Sequence, residues 1–136
     1  MDTKTIPVKL PLKPLTNIQL SKLAYSLKIP FFRGIFMRND LPEKIKRYET
    51  GIINQDDRDG PGTHWTGYVK TGRKIIYFDS IGHLRPPKEV IRYFRSDGKR
   101  NIIKYNIQRY QKLNASNCGQ LTLKFLYMLT HYGKFI

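Results

Sequence analysis

The sequence predicts an α+β domain built on a mixed, mostly antiparallel central sheet flanked by helices. Three observations carry that expectation. Helical apolar repeats stand near both ends of the chain, β-rich stretches punctuated by turn residues fill the middle, and a length of 136 residues suits one domain with its own core.

The elements follow in order. Prolines at positions 7, 11 and 14 block regular structure, so residues 1–15 are expected as an extended arm on a single domain spanning 1–136. In "TNIQLSKLAYSLKI" the residues Ile18, Leu23, Ala24 and Leu27 fall near one helical face, with Thr16 and Gln19 fitting a capping box. That helix should end near Pro30. "PFFRGIFMRNDLP" reads as an extended segment running into a turn, and "GIINQ", "THWTGYVK" and "KIIYFDSIG" as strands. A hairpin turn centred on Thr71-Gly72 would set His64 directly opposite Asp79. Pro86-Pro87 then opens a helix carrying Val90, Ile91 and Phe94, and "NIIKYNIQRYQ" alternates Ile103, Tyr105, Ile107 and Arg109 as a further strand. A last helix runs from Asn117 to about His131 and is closed by Gly133.

Twenty-five Lys and Arg against ten Asp and Glu give a net charge of +15. So large an excess points to a polyanionic partner, or to a generally basic host environment. The cations gather at Lys70, Arg73 and Lys74 on the hairpin and at Arg92, Arg95, Lys99 and Arg100 around the following helix; these last four are the candidate DNA contacts. One cysteine excludes an internal disulfide, and neither a signal peptide nor a run of ~20 apolar residues is seen. An intracellular location is expected, in nucleus or cytoplasm.

That cysteine, Cys118, falls in the first turn of the last helix, where peptide dipoles favour the thiolate. A thiolate nucleophile needs an imidazole to take its proton and a carboxylate to orient the imidazole. His64 and Asp79, at the same end of two neighbouring strands, could supply them. An oxyanion donor could come from Gln111 on the loop before the helix, with Gln108 and Gln120 as rivals. A metal site is not expected, since Cys118, His64, His83 and His131 lack ligand spacing.

The order His-Trp, Asp at a strand end, Gln, then Cys-Gly resembles the adenovirus maturation protease, adenain, and the wider ubiquitin-like-protein proteases. "FFRGIF", "GPGTHW", "YFDSIG" and "QKLNASNCG" resemble successive adenain landmarks. The resemblance implies a papain-like core in permuted order, with His64 as general base, Asp79 as its orienter, Gln111 as oxyanion donor and Cys118 as nucleophile. Trp65 would shield the substrate site. The seven-residue step from Gln111 to Cys118 is the adenain-like spacing, and similar proteases occur in Polinton/Maverick elements and related DNA viruses. Their substrates are precursor and capsid proteins, and the enzyme can travel packaged in the virion. Adenain uses Glu where this chain has Asp79, and carries a second cysteine that this chain lacks, so disulfide-linked activation is not expected.

The function read from the sequence is therefore a cysteine endopeptidase acting on protein substrates, assisted by DNA as an activator bound without sequence preference. It needs no other cofactor, no metal and no membrane, and acts as a monomer. Two alternatives stand: a deconjugase of ubiquitin-like tags, and a basic nucleic-acid-binding module with residual protease resemblance.

Overall fold

The computed structural model describes residues 6–56, 64–82, 84–110 and 117–133. A five-stranded sheet in the order β1-β2-β3-β4-β5 runs through the middle: β1 Phe32–Met37, β2 Tyr48–Asn54, β3 Trp65–Thr71, β4 Lys74–Phe78 and β5 Ile102–Tyr105. The inner pairs β2/β3 and β3/β4 are antiparallel, and the two edge strands add in parallel, so the sheet is mixed. Helices α1 (Asn17–Ser26) and α3 (Cys118–Tyr132) belong to the core on one face, and α2 (Lys88–Phe94) to that on the other.

Side-chain alternation builds both cores. Ile52, Trp65, Val69 and Phe78 join Leu20, Leu123 and Leu126 on the α1/α3 face, whereas Ile53, Tyr68, Ile75 and Tyr77 meet Val90 and Phe94 on the α2 face. The three inner strands are thus apolar on both sides, which period-2 placement allows only where both faces are covered. Gly67 lets α3 lie close: a Cβ there would come within 2.7 Å of Thr122 Cγ2.

Local chemistry sets the helix ends. Thr16 Oγ1 accepts from the Gln19 backbone N–H at 3.2 Å and Gln19 Oε1 accepts from the Thr16 N–H at 3.0 Å, a complete capping box. At the far end of α3, Gly133 takes the left-handed φ of 75°.

Two expectations need correction. The hairpin turn is centred on Gly72-Arg73, because Thr71 pairs with Lys74 and Gly72 takes the positive φ of 64° that a tight two-residue turn requires. Continued past its last pair, Gly67 with Phe78, this register sets Thr66 opposite Asp79, and His64 is not directly across from it. Further, β5 stops at Tyr105 where a strand through Arg109 was expected: Asn106 turns its side chain onto the Asp79 backbone, and Ile107 is 69% exposed.

The arm also has more structure to it than an unattached extension. Ile6, Val8 and Leu10 pack on the α1/α3 core, Leu15 is buried in it, and Gln120 Nε2 donates to the carbonyls of Pro11 at 2.8 Å and Lys13 at 2.6 Å.

Beneath the α2 face lies a buried carboxylate. Glu49 is 1% exposed and accepts from Tyr68 Oη at 2.5 Å, from Tyr93 Oη, from Arg33 Nη1 at 2.9 Å and from the Lys46 N–H at 3.0 Å.

Candidate active site

The site forms where β3 begins, β4 ends and α3 starts. His64 extends the β2/β3 ladder by one residue, since its carbonyl accepts from the Gln55 N–H at 2.9 Å. Asp79 follows the last residue of β4. Its backbone is clamped from both sides by Asn106: the Asp79 N–H donates to Asn106 Oδ1 at 2.9 Å, and Asn106 Nδ2 donates to the Asp79 carbonyl at 2.6 Å. The register shift of two residues leaves both side chains on one face, so they meet diagonally. His64 Nε2 lies 2.8 Å from Asp79 Oδ1, an oxygen that also accepts from the Ile81 N–H at 3.0 Å.

Cys118 is 5% exposed at the first position of α3, and its Sγ accepts from the Trp65 N–H at 3.5 Å. Burial acts to raise the thiol pKa, but hydrogen bonds from His64 and from the Trp65 and Gly119 N–H groups, together with the imidazolium charge, bring it below its ordinary value. Burial likewise acts to lower the His64 pKa. Hydrogen bonds and charge from Asp79 and the Cys118 thiolate outweigh it and raise that pKa to about 9. Both shifts thus move the pair toward a thiolate beside an imidazolium.

Trp65 is held at three points. Besides the contact to sulfur, its carbonyl accepts from Thr122 Oγ1 at 3.2 Å, and its indole Nε1 donates to the Leu15 carbonyl at 3.1 Å. It is 6% exposed, and it meets the thiol through its backbone. Gly119 keeps this junction tight, because a Cβ there would lie 3.3 Å from Leu20 and 3.4 Å from both Leu15 and Trp65.

Of the glutamines weighed as oxyanion donors, Gln111 lies outside the described residues. Gln108 is exposed, and its carbonyl accepts from Asn106 at 3.0 Å. Gln120 spends its amide N–H groups on the arm. Sequence reasoning missed Asn106, Thr122 and the arm contacts. Only a polar residue straight after a β-run hinted at the first.

The basic positions divide. Arg92, Arg95, Lys99 and Arg100 are exposed around the end of α2. Lys70, expected with them on the surface, is instead 2% exposed and turned inward, with its Nζ 3.3 Å from Asp97 and donating to the Gly72 carbonyl at 2.6 Å. A cation alternating onto the covered side of β3 needs such a partner.

No family model matches the chain, and no curated protein matches it. Among solved structures it is similar to the crystal structure of the selenomethionine form of the ASFV pS273R protease, with a TM-score of 0.52 and 20% identity. The chain has the fold of a protease. The likeness covers 87% of this chain and 58% of the ASFV protease, so the chain spans less than two thirds of that neighbour's length. It fits the five-stranded, helix-flanked sheet as a papain-like core. No described helix is long and apolar enough to cross a membrane.

Proposed function

We propose that the chain is a cysteine endopeptidase in which Cys118, His64 and Asp79 act as a triad. The observation that supports this most is the pairing of the helix-start thiol with an imidazole that is itself 2.8 Å from a buried carboxylate. The protease fold of the structural neighbour supports it at the level of fold.

In this reading the Cys118 thiolate attacks the scissile carbonyl, forming the S–C bond as the carbonyl π pair moves onto oxygen. The backbone N–H at the start of α3 is suited to that oxyanion, with the side-chain amide of Gln111 proposed as a second donor. Collapse expels the amine, which takes its proton from the His64 imidazolium and leaves a thioester. His64, now neutral, removes a proton from water, whose oxygen displaces the thiolate and releases the acid. Asp79 holds the ring in one tautomer throughout. Trp65 shields the substrate side of the site. The adenain-like spacing supports precursor and capsid polypeptides as substrates.

A pH profile follows from the two shifts. His64, with its pKa raised to about 9, keeps its proton below that pH and loses it above, while Cys118 deprotonates below the ordinary thiol range. Activity should therefore rise with Cys118 ionisation, at a pH below that of an ordinary thiol, and fall again near pH 9 as His64 loses its proton. In Asp79→Asn the alkaline limb should move to lower pH, because the carboxylate that raises the His64 pKa is gone. An unmoved limb in that variant counts against the pairing.

DNA is proposed as an activator held by Arg92, Arg95, Lys99 and Arg100 without base readout. Observed affinity for duplex DNA should fall with salt at a log–log slope of roughly −0.9 per phosphate contacted. Reversing the charges of Arg92, Arg95 and Arg100 should flatten the slope and remove DNA stimulation, while cleavage of a short peptide survives. An unchanged slope counts against this surface.

The protease reading is tested with a thiol-directed activity probe and a peptide library, with and without DNA. Labelling confined to Cys118 and dependent on His64, together with internal peptide cleavage, is the expected result. Labelling without any cleavage overturns the endopeptidase reading.

A further inference from the structure

At the opposite end of β3 from the thiol, a cavity of about 250 Å³ is lined by Lys44, Arg47, Lys70, Arg73 and Lys99, with Asp97 as its one acidic residue. Its frame is cross-linked. The Gly72 N–H donates to the Arg47 carbonyl at 3.0 Å, the Ile45 N–H to Ser96 Oγ at 2.8 Å, and Lys70 ties Gly72 to Asp97. Asp97 is already engaged by Lys70, by Asn101 Nδ2 at 3.0 Å and by the Lys99 N–H at 3.1 Å, contacts that hold its carboxyl below the usual range. It therefore has little left with which to neutralise the other cations.

Lys44, Arg47, Arg73 and Lys99 are exposed, and none of the four is ion-paired among the described residues. Cations gathered round one concavity, within a Debye length of about 8–10 Å, repel one another unless an anion sits among them. We propose that this cavity binds a compact polyphosphate anion, such as the triphosphate tail of a nucleotide. Guanidinium groups offer paired N–H donors to phosphate oxygens, ammonium groups add point charge, and the hydrogen-bonded walls make the cavity pre-organised. At about 3.3 Å per residue, the length of β3 separates it from Cys118 by roughly 20 Å, so it is a second site, independent of the triad.

Calorimetric titration with tripolyphosphate at physiological salt tests this. Saturable one-to-one binding is expected. Lys44→Gln, Arg47→Gln and Arg73→Gln together should weaken it at least tenfold, with folding checked by circular dichroism. Arg92→Gln, Arg95→Gln and Arg100→Gln together remove the same charge from outside the cavity and should leave binding within twofold. Equal losses in both triple variants, or no saturation, overturn the proposal. A short duplex without terminal phosphates separates the sources of phosphate. Failure to displace tripolyphosphate supports a compact ligand, and displacement at equal phosphate concentration overturns it in favour of a nucleic-acid backbone.

Discussion

Cys118→Ala is expected to abolish peptide cleavage, with a loss on the order of 10⁶ in kcat, the scale at which removing a triad nucleophile leaves only binding and oxyanion stabilisation. The change is small in volume. It removes one buried sulfur whose recorded partners are the Trp65 and Gly119 N–H groups and His64, so the unfolding midpoint should move little. His64→Ala should fall almost as far, and the double variant no further, because nucleophile and base act in one step. Asp79→Asn should lie between, with a loss of about 10⁴. It retains Oδ1 as an acceptor for the Ile81 N–H but exchanges charge and tautomer control at His64. Single-turnover measurements on one peptide provide the comparison, and undiminished turnover in Cys118→Ala would end the protease reading.

Glu49→Ala is expected to destabilise the fold by about 3–5 kcal/mol without touching the site. Its carboxylate gathers Arg33 from β1, Tyr68 from β3 and Tyr93 from α2. Deletion strands two tyrosine hydroxyls in the interior, each worth about 1–3 kcal/mol when left unpaired. Burial, the largest cause of the raised pKa of both phenols, persists without the carboxylate, so neither ionises to compensate. Glu49→Gln keeps the shape and one acceptor and should cost less. Urea unfolding checks both variants, and a loss below about 1 kcal/mol in Glu49→Ala would mean that the cluster relaxes into water.

What the sequence disclosed depends on whether local chemistry decided the outcome. Thr16 and Gln19 lie three residues apart and cap each other, so α1 could be placed to within a residue or two. The apolar period behind Cys118 and the glycine at 133 delimited α3 in the same way. The hairpin was visible too, but not its register. A glycine can occupy either central position of a two-residue turn, and choosing the wrong one moved every cross-strand pair. His64 and Asp79 nonetheless meet, because a slip of two residues preserves the facing side. Asn106, Thr122 and the inward turn of Lys70 arise from contacts across the sheet that no local pattern encodes.

The Gln120 bonds to Pro11 and Lys13, and the Trp65 bond to Leu15, have a temporal consequence. They join parts of the chain separated by as many as 109 positions. A ribosome emits the arm first and α3 more than a hundred residues later, at about 5–20 residues per second. Cys118 is made only at the end of that interval, and it stays an ordinary thiol until α3 docks on β3 and meets His64 and the Trp65 N–H, the contacts that make it acidic. The reactive thiolate therefore appears only after α3 has left the ribosome and packed against the strand that carries Trp65, which delays any attack on the emerging polypeptide itself.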